Sequence, residues 1–380
     1  MRAAFRAFPL LALAAAPLAA EPLPADLGVD VARVNAAIAK GADFLVKDLD
    51  KTLKPYAEPG HGQCDDTLIL YALVKANRSN VPEFKQVLDH CLQRKLERTY
   101  QAAVLAMALE AHDPSRYAGH IKNCAQFLLD NQCDNGQWSY GKPVDLPTPS
   151  LGPDRVATPD SGTSFVAGAG VGRDANTRAK TPLVRRGAGG DTGDNSNTQY
   201  ALLGLRSCED AGFKVPFDTW RKALGWWISS QHEDGGWNYA TNINEGPYAS
   251  MTEGGLGSTV ICMHFLQRGW KSDEHVSRAY SWIASHFDIP ENPIGRHGGK
   301  SAHEYYHVYA IERAGMLTGR ETFGKHKWYA EGAEFLFKAQ GGDGSWKSGK
   351  DQGHPVKDTC FAILFLSRAT RPIVYSGPGH

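Results

Sequence analysis

The sequence predicts an all-α protein built as an α6–α6 toroid, in which six helical hairpins close into an inner and an outer ring of helices. Three observations support this fold class. Segments that are apolar on all sides alternate along the chain with amphipathic segments of helical period. Three of the amphipathic segments end in the same motif of Gln, a Gly turn and Trp. The chain has 380 residues, 42% of them hydrophobic, which is enough for one large core.

The N-terminus has the layout of a secretory signal. Arg2 and Arg6 precede an apolar run over residues 8–16, which small residues end before Glu21. We assign residues 1–20 to a signal peptide and 21–34 to an N-terminal linker, and we expect an exported protein, periplasmic or secreted. No later segment is apolar for long enough to cross a bilayer, so we expect no transmembrane segment.

The outer helices are predicted by the repeated motif. In its first copy, Gln132 lies in the last helical turn and is followed by Gly136 and Trp138. Gly supplies the left-handed backbone that ends a helix, and the large Trp side chain folds back over the turn. The other copies are Gln231 with Gly235 and Trp237, and Gln340 with Gly344 and Trp346. With two weaker copies of the motif, and with a further helix expected near 82–95, the sequence predicts outer helices near 35–49, 82–95, 117–132, 217–231, 274–287 and 325–340.

The inner helices are predicted by apolar segments that begin with a polar pair. The pairs are Asp66-Thr67, Thr99-Tyr100, Asn197-Thr198, Ser258-Thr259, Tyr306-His307 and Asp358-Thr359. Helices that are apolar nearly all round are enclosed by other helices. The order of the segments predicts parallel inner helices with their N-termini at one end, a toroid over residues 35–370 and a C-terminal tail over 371–380.

A Gly/Pro-rich insert interrupts the repeats over residues 141–193. It holds ten of the 40 Gly and six of the 21 Pro residues, and Phe165 is its only aromatic residue. Such a segment buries too little apolar surface to order itself, so we expect a flexible insert; the alternative is a flap over the mouth of the toroid.

The repeated Gln…Gly-x-Trp motif resembles the repeat of the terpenoid cyclase and protein prenyltransferase superfamily, and the similarity covers about residues 35 to 370. The chain is most similar to the squalene cyclase-like, single-toroid proteins called prenyltransferase and squalene oxidase repeat proteins, in which this motif is known as the QW repeat. The resemblance implies an alpha-alpha barrel around a central cavity that takes a hydrophobic, isoprenoid-type ligand.

In this architecture the N-termini of the inner helices surround the cavity, where their unpaired N–H groups favour polar ligand heads. The repeat alignment assigns the following residues to the cavity rim: Tyr100, Gln101, Asn197, Gln199, Glu253 and Tyr305. An alternative reading is that the polar residues at these helix starts are N-caps, which we weigh for Asp66, Asn197, Ser258 and Asp358.

Three carboxylates are candidate catalytic residues: Asp65, Asp66 and Glu304. A cyclase that protonates an alkene needs a carboxylic acid held protonated beside other carboxylates. The cyclases resembled use an Asp-x-Asp-Asp motif and two barrels, whereas this chain has Asp65-Asp66 and one barrel. A carbohydrate-active barrel, with Asp65 and Glu304 as its acid pair, is a further alternative.

Zinc is the one cofactor that the sequence suggests, with His303, His307, Asp358 and Cys360 as candidate ligands. The prenyltransferases that the chain resembles carry Asp-x-Cys on one inner helix and His on the next. In this chain the order is reversed, since His303 and His307 lie on the inner helix before the one that carries Asp358 and Cys360. A competing hypothesis for Cys360 is a disulfide with Cys64 that ties the ring shut in an oxidising compartment. The seven cysteines are odd in number, so at least one has no disulfide partner within the chain.

The charge balance and the repeats together limit the function. Lys+Arg and Asp+Glu number 41 each, so no basic field favours nucleic acid. We expect an exported toroid that binds a hydrophobic isoprenoid-type molecule, and the residues leave open whether it also transforms that molecule. The alternative is a non-catalytic binding or scaffold protein that uses the toroid to hold a partner protein.

Overall fold

The computed structural model describes residues 27–47, 49–57, 65–153, 179–240, 246–293, 303–349 and 354–373, and these are mostly helical. The first helices in chain order are α1 (Val31–Val46), α2 (Leu49–Leu53), a 3-10 helix (Lys54–Ala57), α3 (Asp65–Lys75), α4 (Pro82–Gln93), α5 (Thr99–His112) and α6 (Ala118–Asp130). They are followed by β1 (Thr181–Pro182), α7 (Asn195–Asp210), β2 (Phe213–Lys214), α8 (Phe217–Ser229), α9 (Ala249–Phe265), α10 (Glu274–Ser285), α11 (Glu304–Thr318), α12 (Trp328–Ala339) and α13 (Pro355–Leu366).

Six helices form a closed inner ring. Helix α3 packs on α5, α5 on α7, α7 on α9, α9 on α11, α11 on α13, and α13 returns to α3. Helices α1, α4, α6, α8, α10 and α12 pack outside this ring. Because each inner helix is covered on every side, even a long one is buried almost throughout, as residues 249–263 of α9 are. The predicted all-α, α6–α6 toroid is therefore confirmed.

The three Gln side chains each link one outer helix to the next. Nε2 of Gln132 donates to the carbonyl oxygen of Thr219 in α8 at 3.0 Å. Nε2 of Gln231 donates to His275 in α10 at 2.9 Å, and Nε2 of Gln340 donates to Ala37 in α1 at 2.9 Å. These bonds satisfy buried carbonyl groups and fix the spacing of the outer ring.

The three Trp residues join each motif to the inner ring. The indole of Trp138 donates to the carbonyl oxygen of Leu128 at 2.7 Å, and Leu128 lies in α6, the outer helix that precedes the motif. The backbone N–H of the same residue donates to Oγ1 of Thr198, in the first turn of the next inner helix, at 3.0 Å. Trp237 with Thr252 and Trp346 with Thr359 repeat this backbone contact at 3.1 and 3.0 Å.

The motif requires Gly for two reasons. Gly136 has a φ of +94°, which strains any residue with a side chain. A Cβ atom at this position would also lie 2.3 Å from the carbonyl oxygen of Lys222 in the neighbouring outer helix. Gly235 and Gly344 combine positive φ with equally close neighbours.

The start of α9 differs from the prediction. The sequence suggested Ser258-Thr259 as the first turn, but the helix begins at Ala249, so Ser258 lies in its interior. Gly254, Gly255 and Gly257 lower the helix propensity of the first turns of α9. The sequence pattern therefore did not predict these turns as helical. These glycines are explained by close packing, since a Cβ at Gly254 would lie 2.2 Å from the side chain of Gln199.

The capping reading is also wrong for all four residues. Asp66 lies within the first turn of α3. Ser258 is internal, and Asp358 lies within the first turn of α13, whose N-cap is His354. Helix α7 is capped by Asp194, whose carboxylate accepts the backbone N–H of Asn197 at 2.7 Å. The backbone N–H of Asn197 is therefore bonded by the N-cap residue, and the Asn197 side chain is not itself the cap.

Residues 141–153 and 179–193 of the insert lie within the described ranges and contact the toroid. The amide of Lys142 donates to Oδ1 of Asn131 at 2.7 Å, and the amide of Gly187 donates to Oδ1 of Asp130 at 2.9 Å. Strand β1 pairs in parallel with β2. The centre of the insert, residues 154–178, lies outside the described residues, and the flexibility of the insert stays a prediction.

A C-terminal strap, residues Ala369–Ile373, crosses the end of the inner ring opposite the helix N-termini. The backbone and hydroxyl of Thr370 donate to Glu312 at 2.9 and 2.7 Å. Nη2 of Arg371 contacts both carboxylate oxygens of Glu110 at 2.5 Å, and Arg206 donates to the carbonyl oxygen of Pro372 at 3.1 Å. The strap therefore ties three inner helices together and begins within the range assigned to the toroid.

Several predictions fall on other segments. The signal peptide and residues 21–26 of the predicted linker lie outside the described residues, and so does Cys64 with its proposed disulfide. The linker prediction is wrong for residues 31–34, which belong to helix α1. The six cysteines within the described ranges are buried and form no disulfide with one another. Within those ranges, no helix combines the length and the apolar character that crossing a membrane requires.

Candidate functional site

A cavity of about 400 Å³ opens at the N-terminal end of the inner helices. Its volume lies in the range of sites for small organic molecules. The lining residues come from all six inner helices and the turns before them: Asp65, Leu68, Arg98, Tyr100, Val104, Tyr140, Ser196, Asn197, Tyr200, Tyr239, Tyr248, Ser250, Met251, His303, Tyr306, Lys357 and Phe361.

Aromatic rings form one continuous wall of the cavity. The ring of Tyr200 lies between those of Tyr100 and Tyr306, with centroid distances of 4.3 and 6.0 Å. Tyr306 in turn meets Phe361 edge to face at 5.7 Å. The wall therefore presents flat apolar faces to the interior, with hydroxyl groups at their edges.

A buried cation, Arg313, lies beneath this wall. Its guanidinium is 4.4 Å from the ring centroid of Tyr309 and 5.0 Å from that of Tyr200, and the residue is 1% exposed. It donates to Oε1 of Gln199 at 2.8 Å and to the hydroxyl of Tyr200 at 3.3 Å. Burial lowers the pKa of Arg313, but the surrounding tyrosines raise the pKa by more than burial lowers it. The guanidinium therefore stays charged.

Three hydroxyl groups form a cluster on the cavity wall, which we call the hydroxyl cluster: Tyr100, Ser196 and Tyr306. The Ser196 hydroxyl lies 2.5 Å from that of Tyr100 and 2.9 Å from that of Tyr306. Nε2 of Gln199 donates to the Tyr306 hydroxyl at 2.8 Å. Burial raises the pKa of both tyrosines above the ordinary value, so both carry their protons at neutral pH.

The mouth of the cavity carries charged groups of both signs. Asp65 lies 3.8 Å from the ammonium group of Lys357. Arg98 and His303 occupy the N-cap positions of α5 and α11. The mouth is therefore polar, whereas the walls further in are aromatic and aliphatic.

The structure brings part of the predicted site together. Asp65, Tyr100, Asn197 and His303 line the cavity. Gln199 lies just beneath it, between Arg313 and Tyr306.

Asp66 points away from the cavity, toward outer helix α4. The residue is completely buried and its carboxylate contacts Arg94 at 2.5 Å and His90 at 3.4 Å. Burial raises the pKa of Asp66, but the contacts with His90 and Arg94 lower it more, so the group is held ionised. This is the opposite of the protonated acid that a cyclase requires.

Glu304 and Asp358 form a separate pair outside the described cavity lining. Ser348 bridges them: its hydroxyl donates to Glu304 at 3.0 Å, and its backbone N–H donates to Asp358 at 2.9 Å. Burial is the main cause that raises the pKa of Asp358 to about 6, despite the Ser348 N–H, which acts in the opposite direction. The structure thus does not bring Asp65 and Glu304 together on the cavity wall.

Three predicted rim residues have structural contacts elsewhere. Gln101 is buried and accepts the amide of Glu97 at 2.9 Å, which shapes the turn before α5. Tyr305 packs on Phe335 of outer helix α12 with a centroid distance of 6.4 Å. Glu253 accepts from His307, also away from the cavity lining.

The four candidate zinc ligands do not converge. His307 is fully engaged, with Nδ1 3.0 Å from Glu253 and Nε2 2.8 Å from the carbonyl oxygen of Asp288. Cys360 is buried in the core, and burial raises the pKa of its thiol, which disfavours the thiolate that zinc binds. Among the described residues, no cluster of three or more His, Cys, Asp and Glu side chains is arranged to hold a metal ion.

The sequence reasoning missed several cavity residues. Tyr140 and Tyr239 face each other at the mouth with their hydroxyls 3.3 Å apart. Each lies two positions after the Trp of a repeat motif, and this shared spacing could have revealed both. Arg313 carried no such signal, because a charged residue in an apolar helix does not show which way it points.

The comparisons with known proteins concern the fold alone. No protein-family model matches the sequence, and the comparison with curated proteins finds no relative. A solved structure of a variant of the type II terpene cyclase MstE from Scytonema, in complex with geranylgeranyl dihydroxybenzoate, is similar at 11% identity and a TM-score of 0.48, over 89% of this chain and 98% of the other. A possible member of the GH105 family from Salmonella enterica is similar at 11% identity and a TM-score of 0.49, over 93% and 97%. At these values the likeness is one of helical arrangement and carries no argument about function.

Proposed function

We propose that this toroid binds a hydrophobic, isoprenoid-type molecule in its central cavity and that it acts outside the cytoplasm. The observation that carries the proposal is the cavity of about 400 Å³ with aromatic and aliphatic walls. Leu68, Val104 and Met251 add aliphatic surface to the tyrosine wall. Burying apolar ligand surface against such walls contributes about 25 cal/mol per Å² before the costs of binding are subtracted. The isoprenoid class follows from the sequence resemblance.

The charged groups favour binding over protonation chemistry. Asp65 is the one carboxylate among the described lining residues, and the ammonium group of Lys357 lies 3.8 Å from it. Alkene protonation needs a carboxylic acid held beside other carboxylates, and the described lining offers no second carboxylate beside Asp65. The proposal is therefore a binding function, with no catalytic step assigned to these residues.

The test measures binding of geranylgeraniol to the purified full protein by isothermal titration calorimetry. Val104→Trp places a large side chain in the cavity and is expected to weaken binding at least about tenfold, since it removes the space that the ligand fills. Val184 is 70% exposed on the insert, so Val184→Trp is the matched control and should bind like the wild type. Equal binding by Val104→Trp and the wild type would place the ligand elsewhere and contradict the proposal.

Export is tested separately, by mass spectrometry of the protein recovered from fractionated cells. Removal of a leader of about 20 residues and recovery outside the cytoplasm are expected. Recovery of the uncleaved chain in the cytoplasmic fraction would contradict this part of the proposal without affecting ligand binding. Native mass spectra of the same material test the scaffold alternative, which predicts a bound protein and no bound lipid.

A further inference from the structure

We propose that the ligand of the cavity carries one carboxylate group, which pairs with Arg98 and Lys357 at the mouth while its apolar chain lies against the tyrosine wall. This inference rests on the proposed binding function and narrows the ligand to isoprenoid-type acids. It follows from the charges at the mouth, from the places of these charges on their helices and from a buried cation beneath the wall.

The guanidinium of Arg98 is a cation that a ligand can reach. It lines the cavity, and its side chain forms no hydrogen bond or ion pair with any described residue. Arg98 is only part-buried, and none of its nitrogen atoms is shut off from solvent. A guanidinium offers N–H donors in a planar fork, which matches the two oxygens of a carboxylate.

Lys357 supplies a second cation on the same cavity lining. Its side chain is 33% exposed, and its ammonium group lies 3.8 Å from Asp65, which leaves donors for a ligand. Arg98 precedes α5 and Lys357 lies on α13, and both helices pack on α3, which carries Asp65.

The charges of the described lining fit a ligand with a single negative charge. Apart from His303, two cations face the one carboxylate of Asp65, so one positive charge is not balanced. One carboxylate on the ligand balances it. A diphosphate would bring several negative charges close to Asp65, which opposes its binding.

Both cations lie at helix positions that disfavour a positive charge. Arg98 is the N-cap residue of α5, and Lys357 lies in the first turn of α13. The N-terminus of a helix carries a partial positive charge, which stabilises acidic side chains and destabilises basic ones. An anion at the mouth interacts favourably with the two side chains and with both helix N-termini.

Arg313 adds positive charge beneath the cavity. Its hydrogen bonds go to the neutral side chains of Gln199 and Tyr200, and no described carboxylate lies within ion-pair distance of it. A buried charge without a counter-charge is costly, and a negative charge nearby reduces that cost. Arg313 is 1% exposed, so it attracts an anion through its field and does not contact the ligand.

The experiment compares three probes with the same carbon skeleton by isothermal titration calorimetry of the full protein: farnesoic acid, methyl farnesoate and farnesyl diphosphate. The titrations are done at pH 7.5, where the carboxyl group of the acid is ionised. The wild type is expected to bind the acid about tenfold more tightly than the ester, because the ester has lost the charge. It should bind the acid at least as tightly as the diphosphate.

Two variants should change the preference for the acid over the ester in opposite directions. Arg98→Gln removes a cation and should reduce the preference to less than about threefold. Asp65→Asn removes the opposing negative charge and should increase the preference by about threefold or more. A general loosening of the mouth would not produce changes of opposite sign. Arg221→Gln is the matched control, because Arg221 is 61% exposed on outer helix α8, and it should keep the wild-type preference.

Thermal unfolding of each variant checks that it is folded. Equal affinity of the wild type for the acid and the ester overturns the carboxylate proposal while cavity binding stands. A wild-type preference in both Arg98→Gln and Asp65→Asn also overturns it, and so does tighter binding of the diphosphate than of the acid. Binding of none of the probes contradicts the proposed function itself, and this inference with it.

Discussion

Gln340 and Ala37 are hydrogen-bonded where the last outer helix meets the first, with Nε2 of Gln340 2.9 Å from the carbonyl oxygen of Ala37, although the two residues are 303 positions apart in sequence. The same nitrogen donates to Gly344 at 2.9 Å within its own turn. The equivalent bonds of Gln132 and Gln231 join outer helices that are already close in sequence. Gln340 joins the last outer helix to the first, where no short connection holds them together.

Replacing Gln340 with Ala is expected to lower the free energy of unfolding by about 1–3 kcal/mol, because two carbonyl groups lose their donor. Urea unfolding followed by circular dichroism measures the change. Gln93→Ala, at an exposed position at the end of α4, is the matched control and should change stability by no more than about 0.5 kcal/mol. A similar loss of unfolding free energy in the two variants would contradict the role assigned to the hydrogen bond between Gln340 and Ala37.

Two glycines are expected to respond to Ala in opposite directions. At Gly136 the positive φ and the carbonyl of Lys222 2.3 Å from a Cβ both oppose a side chain, so Gly136→Ala should destabilise the protein by more than about 1 kcal/mol. Gly225 lies in α8 with open space around it, so Gly225→Ala should stabilise by roughly 0.5–1 kcal/mol. Melting temperatures of the two variants test the difference in sign.

Asp66→Asn is expected to destabilise the protein by about 3–5 kcal/mol at neutral pH, because it leaves Arg94 buried without its counter-charge. The pKa of Asp66 is lower in the folded protein than in the unfolded chain, so its stabilising effect is complete above the unfolded pKa, roughly 4. This effect is lost as the pH falls below that value. The difference in unfolding free energy between wild type and Asp66→Asn should therefore shrink from pH 5 to pH 3.

Asp43→Asn serves as the control for Asp66→Asn. Asp43 pairs with Arg78 at 2.5 Å, but its side chain is 66% exposed, so removing its charge should cost less than about 1 kcal/mol. A cost equal to that of Asp66→Asn would show that burial does not distinguish the two pairs.

Glu312 is expected to make the protein less stable as the pH rises toward neutrality. Burial raises its pKa from 4.5 to about 7, and the hydrogen bonds from Thr370 only partly oppose this. Between these two values the folded protein binds more protons than the unfolded chain, so the unfolding free energy falls with increasing pH. Urea midpoints from pH 4.5 to 7 should show this slope in the wild type and a smaller one in Glu312→Gln. Glu334→Gln, at an exposed pair with Arg33, should keep the wild-type slope.

The helices and their order in the two rings could be predicted from the sequence, because the repeated motifs indicate where helices end and how outer and inner helices alternate. The Gln and Trp of each motif mark the end of an outer helix, and the apolar segment that follows marks an inner one. The predicted outer helix at 274–287, for example, is observed as α10, Glu274–Ser285. The start of α9 was missed because Gly254 and Gly255 serve packing, which a propensity argument counts against a helix.

The direction of individual side chains could not be predicted. In an inner helix that is apolar all round, period alone does not distinguish the cavity side from the outer-ring side. Adjacent residues therefore exchanged roles: Tyr306 lines the cavity where Tyr305 was expected, and Asp65 does so while Asp66 contacts α4. Only contacts between distant segments, such as Asp66 with Arg94, decide between the two directions.

The closed inner ring has a consequence for biosynthesis. Helix α3 leaves the ribosome well before its partner α13; Tyr71 and Ala369, which are hydrogen-bonded in the folded protein, are 298 residues apart. Until α13 arrives, one apolar flank of α3 has nothing to pack against, and such surfaces promote aggregation of nascent chains. Closure of a loop of this length is also a slow step. A chain that stops before α13 would thus expose two apolar flanks, on α3 and α11, and depend on chaperones to stay in solution.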